Sequence, residues 1–309
     1  MDIQKSAGIK GKKNQQRIEI ERINEDFVVD FPLSPFQKQA IEIIYSMRAV
    51  KTSQLVDITG YNYKYVTGQM LELHLNRFIY REFPPRDRKK KGTDEAYYLL
   101  DDAGAIYVSG AYEIQMKDVR WRKRDNLVKS DKLEHTFRVA DVRAMIEKEA
   151  REQGHKVLKC IGDRHLEISF TFENERYEFR PDMYLKYSDG KYEYDFLFEV
   201  DLGTMNYTGI SPKTQAFDRK VPVYEYYKLS EEYKRTFDRY PKILVITTTT
   251  DRAKKLREAV REKQKARPEV RVEFLFTSMS LWKEMCTGSI FIDTSDDAKY
   301  KSIFDDIRR

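Results

Sequence analysis

Two cysteines in 309 residues, Cys160 and Cys286, exclude a disulfide scaffold and a four-cysteine zinc site, and four scattered histidines do little to repair that shortage. Thirteen glycines and nine prolines are too few for a low-complexity or disordered chain. No apolar run approaches the roughly 18–20 residues that span a bilayer. The opening stretch MDIQKSAGIKGKKNQQR has no apolar core for export. A cytoplasmic, cystine-free chain with no membrane partner is the resulting expectation. An excess of one charge is nearly missing too, because 57 Lys and Arg stand against 51 Asp and Glu, a net of +6. What is present is a 40% hydrophobic and 13% aromatic composition, enough for a sizeable core, in a length that suggests two domains.

The small surplus is unevenly placed. Residues 31–130 hold 17 basic and 12 acidic side chains, whereas residues 1–30 hold six of each and the remainder is close to balance. Patterning divides the chain into a flexible arm (1–30), a first domain (31–112), a basic linker (113–130), a second domain (131–290) and a helical tail (291–309). Within the first domain, Ser34 and Pro35 make an N-cap and first-turn proline, and Phe36, Ala40, Ile43, Ile44 and Met47 recur at helical spacing. A short second helix fits Ser53 to Ile58, stopped by Gly60, and a third starts at Asn62 and runs to about Leu75. Val66, Met70 and Leu73 on the third helix share one face, and strands at Phe78–Phe83 and Ala96–Leu100 flank the run PPRDRKKKGTDE.

Three helices closed by a two-stranded hairpin with a basic tip resemble a winged helix-turn-helix. Such a helix fits the major groove of DNA, and the wing's cations reach flanking phosphates. Asn62, Tyr63, Lys64 and Thr67, with Tyr65 and Gln69 beside them, are candidates for base or phosphate contact, and Arg86, Arg88, Lys89, Lys90 and Lys91 for phosphate contact and counterion release. Tyr65 fits a buried place equally well. Gly68 in mid-helix points to a close approach, either by the first helix or by another backbone. The segment YEIQMKDVRWRKRDNLVKS interleaves cations around Trp121, a pattern shared by nucleic-acid surfaces and by packed domain junctions.

The second domain reads as a helix from about Asp131 to Gln153, strands at Lys156–Ile161, His165–Phe172, Glu178–Tyr187 and Glu193–Val200, then a helix from about Pro212 to Leu229. A strand at Lys242–Thr247, a helix at Asp251–Arg267 and a strand at Val270–Phe276 suit a parallel crossover. In the tail, Tyr300, Ile303, Phe304 and Ile307 fall at helical spacing and read as docking on the chain's own core. RPDMYLKY places Asp182 at the start of one strand, and YDFLFEVDLGT places Glu199 and Asp201 two apart, on one face, at the end of the next. Three such carboxylates are the hard oxygen ligands that Mg²⁺ prefers, although they could equally terminate strands and pair with Arg180, Arg219 or Lys220.

With this element order, Asp182 and Glu199 resemble the paired acids of the PD-(D/E)XK nuclease superfamily. That resemblance implies a metal held by the acids and a lysine that positions or activates water. Asp201 stands where the family lysine should be, so Lys213 at the start of the next helix is the candidate ammonium, ahead of Lys220. The combination of winged helix, LEHTFRVADVR with His135, RPD, FEVDLGT and KTQAFDRKVPVYEYY resembles the replication-relaxation family of bacterial plasmids and integrative elements. The fold class expected is a two-domain α+β and α/β chain, with an N-terminal winged helix-turn-helix and a C-terminal restriction-endonuclease-like mixed sheet flanked by helices. The resemblance implies double-stranded DNA binding in replication, relaxation or transfer, with replication or transfer proteins and a second copy of the chain as further partners. One alternative is a Mg²⁺-dependent endonuclease using Asp182, Glu199, Asp201 and Lys213. Another is a winged-helix transcriptional regulator whose second domain senses a ligand or partner.

Overall fold

The computed structural model describes residues 16–84, 95–126, 130–209, 216–295 and 299–305. The cations Arg86, Arg88, Lys89, Lys90, Lys91 and Lys213 lie outside the described residues. The chain is mixed α/β, with a small helical unit followed by a six-stranded mixed sheet.

The helical unit opens with α1 (Glu25–Asp30), capped by Asn24, and α2 (Pro35–Met47). At the start of α2 the Ser34 hydroxyl accepts the Gln37 amide, while the Gln37 side chain accepts the Ser34 amide at 2.8 Å, a reciprocal capping box. After a short strand β1 (Ala49–Lys51), α3 (Thr52–Thr59) ends on Gly60, whose φ of 77° lies in the left-handed region that suits glycine. The turn then delivers α4 (Tyr63–Leu75), with the Asn62 side chain accepting the Tyr65 amide at 2.9 Å. Val66, Met70 and Leu73 are buried, as their spacing predicts. β2 (Ile79–Glu82) and β3 (Tyr97–Leu100) form the expected hairpin, and β1 adds to the other edge of β3. β1 is too short to announce itself by period, and so was not expected.

From residue 16 onward the arm, expected to be flexible, is docked on the helical unit. Ile18 donates its amide to the Leu75 carbonyl at 2.9 Å, Arg17 pairs with buried Asp101, and the rings of Phe27 and Phe31 pack at a tilt against Phe78. Beyond β3, α5 (Asp102–Ala111) continues into two single turns, where Val119 is buried and Trp121 packs with its indole N–H on Asn126 at 3.2 Å. The tryptophan is therefore part of the packing of this junction.

The long helix α6 (Ser130–Glu152) binds the two units together. It receives the Gln54 amide from α3 on the Phe137 carbonyl at 2.9 Å, and Arg151 donates back to the carbonyls of Asp57 and Ile58. The strands follow as β4 (Lys156–Gly162), β5 (Ile168–Phe172), β6 (Glu175–Phe179), β7 (Met183–Ser188) and β8 (Glu193–Asp201). The single strand expected over 178–187 is thus two, because Pro181 interrupts the ladder and the β5–β6 hairpin separates from the main sheet. Then come α7 (Lys220–Leu229), β9 (Lys242–Thr247), α8 (Thr250–Gln264), β10 (Phe274–Ser278), α9 (Met279–Glu284) and β11 (Ile292–Asp293).

The main sheet runs β11-β10-β9-β8-β7-β4, with β8, β9 and β10 mutually parallel and the outer pairings antiparallel. β9 and β10 are buried along their whole length, as the apolar runs Ile243–Ile246 and Phe274–Phe276 at their centres require. Phe196, Phe198 and Val200 of β8 face α6 and Trp282, whereas Leu197 faces Val221 and Tyr224 of α7 and Leu256 of α8. Full burial of such side chains is worth roughly 1.5–3 kcal/mol each. The tail docks as expected through buried Ile303 and Phe304, but through a bridge between Phe291 and Lys301 rather than a helix in its described part.

Candidate functional site

The end of β8 carries the acidic residues. Pairing of β7 with β8 stops at Met183 opposite Phe198. Asp182 then extends the ladder with its side chain, its carboxylate accepting the Val200 amide at 2.7 Å while its own amide donates to the Phe198 carbonyl at 2.9 Å. The two-residue alternation of β8 puts Glu199 and Asp201 on the α7 and α8 side. Asp182, Glu199 and Asp201 all border one cavity of about 380 Å³, together with Lys132, His135 and Lys220.

Each carboxylate nevertheless has a different partner. Glu199, 2% exposed, receives the Lys220 ammonium on one oxygen and the Tyr224 hydroxyl on the other at 2.7 Å. Lys220 and Tyr224 stand four apart on α7, so one helical face supplies both donors. Burial pulls the Lys220 ammonium down, but the Glu199 carboxylate, with Asp182 behind it, outweighs that and raises it above the usual lysine range. Burial and Glu199 likewise push the Tyr224 hydroxyl well up, keeping it a donor. Asp201 is held by Arg252 in a two-pronged pair, one contact at 2.9 Å, and accepts the Thr247 hydroxyl at 2.7 Å. This pair ties α8 to the end of β8.

His135 completes the ring. Its Nε2 lies 3.1 Å from the Val200 carbonyl and 3.5 Å from Asp182, and the hydrogen bond to Asp182 raises its pKa despite burial. Arg180 pairs with Glu167 at 2.8 Å and Glu178 at 3.6 Å, away from the three acids.

Mg²⁺ favours oxygen ligands with open positions beside them. Here the oxygens of Glu199 and Asp201 already accept from protein donors, and a His135 nitrogen sits between the Asp182 carboxylate and the Val200 carbonyl. Among the described residues no group of three or more His, Cys, Asp or Glu is gathered to hold a metal ion. The arrangement shown therefore does not fit a divalent cation on the three acids. The cation beside Glu199 is Lys220, which ranked behind Lys213 in the sequence because the helix was expected from about Pro212; it begins at Lys220. The four-residue spacing of Lys220 and Tyr224 was the signal available.

On α4, Tyr63 is 53% exposed and Lys64 is open to solvent. Asn62 is committed to its cap, and the Thr67 hydroxyl donates back to the carbonyls of Tyr63 and Lys64 at 2.9 and 3.0 Å. Tyr65 leans on Phe36 and stacks on Tyr61 with ring centres 4.9 Å apart. Gln69 accepts from the Ser34 hydroxyl at 3.3 Å and so faces α2. A Cβ at Gly68 would meet nothing within 4 Å, which removes the first helix as the reason for that glycine. Lys64, Thr67 and Gly68 therefore lie on the outward face, opposite Val66, Met70 and Leu73. Tyr61, exposed beside them, is a surface residue that the helical pattern did not single out.

No helix among the described residues is long and apolar enough to cross a membrane. Neither a curated protein nor a solved structure matches the chain. A family model described as replication-relaxation matches residues 41–243, from within α2 to the start of β9. That match takes in α4, His135, Asp182, Glu199 and Lys220 and covers most of the chain, which belongs to the replication-relaxation family.

Proposed function

We propose that the protein binds double-stranded DNA in the replication, relaxation or transfer of a mobile genetic element. Its helical unit acts as a winged helix, with α4 entering the major groove and the β2–β3 wing, whose basic tip is Arg86, Arg88, Lys89, Lys90 and Lys91, reaching phosphates. The six-stranded sheet serves as a nuclease-like platform that joins this head to further contacts. The observation that carries the reading is the outward face of α4, where Lys64 and an uncovered Gly68 leave room for an approaching backbone. Family membership supports the replication or relaxation setting. Cleavage receives less support, because Lys220, Tyr224, His135 and Arg252 already occupy the acids.

The test is duplex binding followed by fluorescence anisotropy across a salt series. Lys64→Ala should weaken binding and reduce the magnitude of the salt slope by about 0.9, the value for one lost phosphate contact on duplex DNA. Lys254→Ala on the exposed side of α8 should leave both unchanged. Equal slopes for wild type and Lys64→Ala would remove α4 from the interface.

A further inference from the structure

A second cavity, of about 670 Å³, lies between the three-stranded sheet of the helical unit and the first turns of α6. Among the described residues Arg48, Arg124, Lys132 and Arg164 line it with Asp125 and Asp163, so the described wall is net positive. The cations there are not fully used. Arg48 pairs with Asp163 at 2.8 Å, yet its Nε is buried with no partner, and Arg164 reaches Asp125 only at 3.6 Å. Arg124 and Lys132 are exposed at the rim.

Burial, and then the neighbouring Arg48, lower the pKa of Arg164. Burial first, and then Arg164, Arg120 and Arg48, bring His165 down to about 4. Arg48 also holds a φ of 67° with a ψ of −49°, a sparsely populated conformation that costs a non-glycine residue roughly 1–3 kcal/mol. Clustered, partly desolvated arginines in one cleft favour an anion that can touch several of them together.

The shape narrows the choice of anion. Lys132 and His135 line both this cleft and the cavity at Glu199, so the two adjoin along α6. A cleft of this volume is of small-ligand size. A single strand's phosphodiester backbone is a polyanion of that scale. Positively charged grooves that track a backbone are the usual means of holding single strands.

We propose that this cleft binds the phosphodiester backbone of a single DNA strand, with Arg48, Arg124, Lys132 and Arg164 on its phosphates, and leads that strand toward the cavity at Glu199. The identity of the polyanion as DNA rests on the function proposed above; the cleft itself is separate from α4.

The experiment measures anisotropy of fluorescein-labelled dT12 and of a labelled 20-base-pair duplex with the full chain, across a salt series. The double variant Arg124→Glu/Lys132→Glu alters two exposed side chains, and circular dichroism with a thermal melt checks its fold. For dT12 it should lose at least tenfold in affinity and about 1.4 in the magnitude of the salt slope, two contacts at about 0.7 each for a single strand. Lys64→Ala should leave dT12 binding unchanged. Unaltered dT12 affinity and slope in a folded double variant would overturn the proposal, as would loss of dT12 binding in Lys64→Ala alone. Displacement of dT12 by micromolar inorganic pyrophosphate would also overturn it, in favour of a small phosphate ligand. If duplex binding ignores Lys64→Ala while dT12 still responds to the double variant, the duplex reading fails and the strand cleft stands.

Discussion

Gly68 separates a structural role from a binding role with one pair of substitutions. It sits inside α4, and a Cβ there meets open space. Glycine in a helix interior costs about 0.8–1.0 kcal/mol relative to alanine, chiefly in backbone entropy. With no contact to disturb, Gly68→Ala should therefore stabilise the free protein by about 1 kcal/mol. With an unfolding entropy near 2.1 cal/mol/K per residue, that raises the melting temperature of a chain this long by about 1.5 °C, and urea unfolding gives the free energy more directly. Gly68→Leu has nearly the same helix propensity and should leave the free protein similarly stable. Its side chain, however, fills the space next to Lys64, where a DNA backbone is placed. Duplex affinity should fall about tenfold, equivalent to about 1.4 kcal/mol. The assay is anisotropy of a labelled duplex beside urea melts of the same preparations. A Gly68→Leu protein that is stable and binds like wild type refutes the reasoning about the interface. A Gly68→Ala protein that is destabilised refutes the claim of open space.

Three further outcomes follow from the cavity at Glu199. Arg252→Ala leaves Asp201 buried without its two-pronged partner and should cost about 3 kcal/mol, measured by urea unfolding; a loss under 0.5 kcal/mol would show that the pair does not hold α8 to β8. The raised pKa of His135 means that its contact with Asp182 stabilises the fold below the unfolded histidine value and that this contribution is lost as pH rises through the higher folded value. An NMR titration should therefore place the His135 midpoint above 6.5, and Asp182→Asn should lower it; a midpoint unmoved by Asp182→Asn contradicts the pairing. Supercoiled plasmid incubated with the protein and Mg²⁺ or Mn²⁺ should remain supercoiled, whereas open circles that disappear in Glu199→Ala would restore the endonuclease reading.

Local rules carried much of the helical unit. Ser34, Gly60 and Asn62 each act at the helix ends where their chemistry placed them, and the spacing of Val66, Met70 and Leu73 gave the buried face of α4. Elements too short or too apolar to show a period, such as β1 and α5, were not legible. Pro181 was visible in the sequence, yet its effect of splitting one expected strand into β6 and β7 depends on where β8 lies. At the acidic cavity, alternation did place Glu199 and Asp201 on one face. What it could not give was the identity of the opposing donors, since Lys220, Tyr224 and Arg252 come from two other helices at long sequence separation. With the Val200 amide on Asp182, those partners give each of the three acids, which read as metal ligands, its own protein donors.

The central claim is that this chain holds duplex DNA through the basic, groove-sized head built on α4. The most direct measurement is the affinity of the unaltered protein for a duplex as a function of salt. Log affinity should fall linearly with log salt concentration, with a slope of several phosphate contacts at about 0.9 each. Absence of duplex binding at low salt, or an affinity that does not change with salt, would contradict it.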